Sequence, residues 1–92
     1  KKTPGVVPIL KGSSARTLTL TTGASAANLQ DGGSDWSASE DTIVLLKAGG
    51  GTIKVQIGET PDAGSGDTIL MAADEVRWVG ILPGEKVSAV DA

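Results

Sequence analysis

The chain has 92 residues, enough for one domain with a small core. Its formal net charge is −3, and its one adjacent basic pair is Lys1-Lys2, the wrong balance for gripping a nucleic-acid backbone. Cysteine and histidine are both absent, which excludes disulfides, thiolate metal sites and the commonest general base. With no Phe or Tyr and only Trp36 and Trp78 as aromatics, the core must be built from Val, Ile and Leu. No run is long and apolar enough to cross a membrane, and the first residues lack the apolar centre of a signal peptide.

In chain order, residues 1–10 form an N-terminal arm or edge strand, and residues 11–92 a single β domain. Pro4 and Pro8 disfavour helix and hold their neighbours extended. Val6, Val7, Ile9 and Leu10 then either pair on the chain's own sheet or dock on another subunit. Ser14–Thr21 is predicted as the first strand, with Leu18 and Leu20 facing the core and Thr17, Thr19 and Thr21 facing out. Ser25–Gln30 is a second short strand, and Asp31–Glu40 a loop with Trp36 in its middle.

Thr42–Lys47 is apolar on both faces, and β-branching and length favour strand over helix. Ile43 and Leu45 are expected in the core; Val44 and Leu46 then need a second cover, from a loop, the arm or a neighbouring subunit. Ala48-Gly49-Gly50-Gly51 ends this strand and opens a hairpin into Thr52–Ile57, where Ile53, Val55 and Ile57 alternate with Lys54 and Gln56. Asp67–Ala72, Glu75–Leu82 and Glu85–Val90 follow as strands of the same antiparallel sheet. Pro83-Gly84 suits the two central positions of a type II turn. Asp41–Leu45 and Asp67–Met71 share the pattern Asp-Thr-Ile, an echo that two related halves or chance could produce. The fold class is therefore all-β, a small antiparallel β-sandwich or barrel of about seven or eight strands. Its expected core is Leu18, Leu20, Ile43, Leu45, Ile53, Val55, Ile57, Ile69, Met71, Val76, Trp78 and Val87.

Carboxylates are the remaining acid–base candidates: Asp31, Asp35, Glu40 and Asp41 in one region, Glu59, Asp62 and Asp67 in another. A glycosidase needs two carboxyls across a cleft, which so short a chain has little surface to enclose. A calcium site in the first acidic loop is an alternative, although the spacing does not match the helix–loop–helix signature. Without His or Cys there is no nucleophilic triad, and Gly49–Gly51 lacks the lysine and threonine of a phosphate loop. No enzyme activity, cofactor or metal is expected. Trp36 with Asp31 and Asp35 could instead stack on and bond a sugar, so a carbohydrate-binding module is the alternative function. Trp78 is expected in the core or an interface.

Gly51–Gly58, Asp67–Met71 and Val76–Val90, the last ending its aromatic strand in Pro83-Gly84-Glu85, resemble small all-β virion proteins of tailed bacteriophages. The resemblance covers about the last half of the chain and implies a structural role: capsid decoration or cement, head fibre, or connector accessory. It implies location in the virion, on the phage head surface, and the major capsid protein or another virion subunit as partner. No catalytic residue follows from it. Independently, the surplus of apolar surface on Thr42–Lys47 and the arm points to a homo-oligomer, a trimer first and a dimer second. Val6, Val7, Ile9, Leu10, Trp36, Val44 and Leu46 are the expected interaction residues.

Overall fold

Lys86–Asp91 (β8) is the axis of the molecule. It pairs antiparallel with Ile53–Gly58 (β5) on one side, through Val55↔Ala89 and Ile57↔Val87, and with Ala27–Asn28 (β1) on the other. Ile69–Met71 (β6) adds to the far edge of β5, so the sheet order is β1-β8-β5-β6. The computed structural model describes residues 17–92; among them it holds eight strands, all paired antiparallel, and no helix.

Thr42–Lys47 (β4) and Val76–Ile81 (β7) form a separate two-stranded ribbon in register from Thr42↔Ile81 to Lys47↔Val76. Gln30–Asp31 (β2) and Ser34–Asp35 (β3) make a small hairpin. The ribbon closes one side of a sandwich-like core. Val44, Leu46, Val79 and Ile81 meet Val55, Met71, Val87 and Ala89 from the sheet, with Leu29 and Trp36 at the rim. Met71 and Ile81 are almost wholly enclosed.

Two matched turns fix the ends of β7. In Ala72–Glu75 and in Leu82–Glu85 the fourth N–H donates to the first carbonyl, each at 3.0 Å. In both, the glutamate Oε1 reaches back to accept the first N–H, at 2.9 Å from Ala72 and 2.8 Å from Leu82. The third residue takes positive φ in both, 63° at Asp74 and 85° at Gly84, as a type II turn requires. The β4–β7 ladder continues into these turns: Ala48 N–H donates to Glu75 O at 2.9 Å and Ala38 N–H to Glu85 O at 3.1 Å. Ala38 and Ala48 are buried there, one at each end of the ribbon.

The outer face of β8 is covered by the link between β5 and β6. Gln56, opposite Ser88 in the sheet, donates from Nε2 to the carbonyls of Ser65 (2.9 Å) and Asp67 (3.1 Å) and accepts the Asp62 N–H at 2.7 Å. Ser88 Oγ accepts the Ala63 N–H at 3.0 Å within the interior. A polar pair on the strands thus satisfies backbone groups that the link would otherwise bury unpaired.

The strands expected from Thr42 onward are present, and Pro83-Gly84 forms the expected turn. Several expectations are corrected. Residues 17–21, the described part of the predicted first strand, carry no strand ladder; Leu20 packs on the core, so their alternation reports one-sided burial and not pairing. Asp31–Glu40 is not a plain loop, because Gly32 and Gly33 both take positive φ (64° and 93°) and close the β2–β3 hairpin as a type I′ turn. The glycines at 49–51 do not open a hairpin: β4 and β5 lie in different sheets, and β7 leaves the C-terminal set to pair with β4. The Asp-Thr-Ile echo has no structural counterpart. It falls on a ribbon strand and a sheet-edge strand, and Val44 points to the core where its equivalent, Leu70, is exposed. The arm residues Val6, Val7, Ile9 and Leu10 lie outside the described residues.

Candidate functional site

The ribbon's outward face is left about half exposed by the packing of the described residues. Strand parity puts Val44 and Leu46 of β4, with Val79 and Ile81 of β7, into the core. Ile43 and Leu45, with Val76 and Trp78, therefore point the other way. This reverses the faces expected from sequence. Leu45 is 48% exposed, Val76 53% and Trp78 45%, so Leu45, Val76 and Trp78 are not core residues. Ile43 is half-buried and lies outside the core cluster. Alternation alone could not choose between the two faces of a strand that is apolar on both.

Leu45 and Trp78 are direct cross-strand partners, and Lys47 stands opposite Val76. The ladder bonds at Ala48–Glu75 and Ala38–Glu85 put odd-numbered β7 residues in hydrogen-bonded positions. Leu45–Trp78 is then a non-hydrogen-bonded pair, the kind in which Cα atoms approach to about 4.5 Å and side chains touch. Lys47, of the same parity as Leu45, has its Nζ 3.8 Å from Asp74 Oδ1 at one end of the face, whereas Arg77, of the opposite parity to Trp78, has its Nη2 2.6 Å from Glu75 Oε2. The Arg77 guanidinium first, and the Ala72 N–H second, hold the Glu75 carboxyl below its ordinary range. Contiguous exposed apolar surface of this kind is what marks a candidate interaction site.

The acidic region around Trp36 is arranged differently. Asp35 accepts from Asn28 Nδ2 at 2.9 Å and from Gln30 Nε2, and these two bonds, Asn28's first, lower its pKa. The carboxylate is thus engaged in holding the hairpin to β1. Trp36 is half-buried, packs against the core and donates its backbone N–H to Leu29 O at 2.8 Å. It is not a free-standing aromatic platform. Among the described residues no three Asp or Glu side chains gather in one group.

Of the expected interaction residues, Trp36, Val44 and Leu46 pack against the hydrophobic core. Leu45 and Val76, expected in the core, and Trp78, expected in the core or an interface, are surface residues. One signal for Trp78 was available: Val79 and Ile81, of the opposite parity, offer as much β-branched surface to a core as Val76 does. Comparison with known proteins gives no match to a family model, to a characterised protein or to a solved structure. Fold and surface define a small all-β protein with a sandwich-like core and an outward apolar ribbon.

Proposed function

We propose that the protein is a structural virion component, a decoration or cement protein that binds the outer shell of a tailed-phage head and bridges its subunits. The observation that carries this reading is the Leu45–Trp78–Val76 face. Among the described residues, three of the five large hydrophobic side chains that are exposed lie on one side of one ribbon, which a matched turn frames at each end. A rigid apolar face suits a contact that must stay formed under load, because little ordering entropy opposes it. The partner is the major capsid protein or another virion subunit; the phage setting comes from the resemblance of the C-terminal half.

Co-sedimentation with phage heads lacking the protein tests this. The wild-type chain is expected to pellet with the heads, and Leu45→Asp with Trp78→Asp to weaken binding roughly tenfold or more, since desolvating a carboxylate costs several kcal/mol. Near-wild-type circular dichroism of the double variant would show that its fold is intact. Failure of the wild-type chain to bind heads would defeat the virion reading. Glycan binding that disappears on Trp36→Ala would replace it with a carbohydrate-binding module.

A further inference from the structure

We propose that β7 is a self-pairing edge: two copies of the chain join antiparallel through Val76–Ile81, with the two-fold axis at Trp78. The inference deepens the assembly role proposed above by naming one partner of the ribbon as a second copy.

The argument starts from backbone groups. Odd-numbered β7 residues bond to β4, so Val76, Trp78 and Gly80 turn their N–H and C=O groups to the opposite edge. No described strand pairs there, since β4 is the single ladder partner of β7. The stretch Val76-Arg77-Trp78-Val79-Gly80-Ile81 has no proline and no lysine, two devices that protect an edge, and its one charge, Arg77, has the parity of Val79 and Ile81. Two other sheet edges among the described residues are shorter. β1 has two residues and β6 three. The free edge of β4 ends in Lys47, and residues 17–20 line a cavity with Leu45, Lys47 and Ala48 beside it.

Geometry then selects the register. Hydrogen-bonded partners must both come from Val76, Trp78 and Gly80, and outward residues must oppose outward residues. A two-fold axis at Trp78 pairs Trp78 with Trp78 of the second copy and Val76 with Gly80, and it satisfies all the free groups at once. Slipping the register by one residue pairs odd with even positions and breaks the faces, and slipping it by two leaves edge groups unpaired. Gly80 has open space where a Cβ would stand, which leaves room for the neighbouring indoles. Charge does not oppose the join, because Arg77 is held by Glu75 on its own chain through Nε at 3.2 Å and Nη2 at 2.6 Å.

The product is a four-stranded sheet, β4-β7-β7-β4, whose outer face doubles the Leu45–Trp78 stripe. Five paired positions and one aromatic per chain fall short of the ~800 Å² per partner typical of tight complexes. The free dimer is therefore weak, with a micromolar dissociation constant, and strengthens where copies are held side by side.

Sedimentation velocity of the full chain, from low micromolar to near-millimolar concentration, tests the proposal. A monomer–dimer equilibrium is expected. Gly80→Pro removes an edge N–H but no β4 bond, and should weaken association roughly tenfold or more while leaving the circular dichroism spectrum native-like. Trp78→Lys, which places a charge at the axis, should do the same and serves if the proline variant fails to fold. A monomer throughout, a trimer, or a dimer unaffected by both substitutions would overturn the inference. Head binding by a chain that never dimerises would overturn this inference alone, and a dimer that never binds heads would overturn the virion role alone.

Discussion

β8 buries four consecutive residues, Val87 to Val90, so both of its faces are covered. The β4–β7 ribbon has larger apolar side chains, yet leaves Leu45, Val76 and Trp78 about half exposed. The difference lies in what the chain folds over each. β8 has small residues, Ser88 and Ala89, and the link from β5 to β6 lies close over it, pinned by Gln56 and Ser88. No described segment lies over Trp78 in the same way. Burial in this protein thus follows covering segments and their hydrogen bonds more than side-chain hydrophobicity. Apolar surface beyond the core's own need stays exposed among the described residues.

The largest effect that would sharpen this contrast comes from alanine substitutions on the two sides of the ribbon. Ile81→Ala removes a side chain that is 1% exposed and should cost about 2–5 kcal/mol in urea unfolding. Leu45→Ala, on the opposite face, should stay within about 0.5 kcal/mol of wild type in dilute solution. Equal costs at both positions would mean that the outward face is covered even in the monomer.

Ser88→Ala asks whether the cover over β8 depends on its polar pins. The variant keeps the volume nearly unchanged but strips the Ala63 N–H of its acceptor inside the protein. An unpaired buried donor costs about 1–3 kcal/mol, so an intermediate loss of stability is expected. Amide hydrogen exchange should rise first at Ala63 and Ser65, ahead of the sheet. A variant as stable as wild type would show that water replaces the hydroxyl and that the link is held by Gln56 alone.

Most of the strands could be read from the sequence, because alternation of large and polar residues, as in Ile53–Ile57, has one meaning when one face is polar. The pairing could not. Asp31-Gly32-Gly33-Ser34 holds the residues of a tight hairpin, but its strands are two residues each, too short for alternation to register. The choice of β7 over β5 as the partner of β4 rests on Ala38 and Ala48 docking beside the two glutamate turns, contacts between distant small residues that leave no periodic trace. The exposed apolar face was legible as an excess: two apolar faces in a strand able to bury one. Which face stayed out depended on the register with β7, and so Val44 and Leu46 were placed outside when they belong inside.

The smallest expected effect tests the equivalence of the two turns that frame β7. Both need positive φ at the third residue, and glycine meets that need without strain at Gly84, whereas Asp74 adopts it at 63°. A left-handed conformation costs an L-residue about 1–2 kcal/mol, less for Asp, whose short side chain bonds locally. Asp74→Gly should recover part of this, reduced by the greater freedom of glycine in the unfolded chain. It also removes the Lys47–Asp74 pair, but at 3.8 Å and with both side chains more than half exposed that pair contributes little. The net gain should be about 0.5 kcal/mol, equivalent to a melting temperature higher by about 2–4 °C. Gly84→Asp should shift it by a similar amount in the opposite direction, since the two turns share one hydrogen-bond pattern. A clear loss of stability in Asp74→Gly would mean that the Asp74 side chain holds the ribbon's end through its charge, and the two turns, alike in backbone, would then differ in what fixes them.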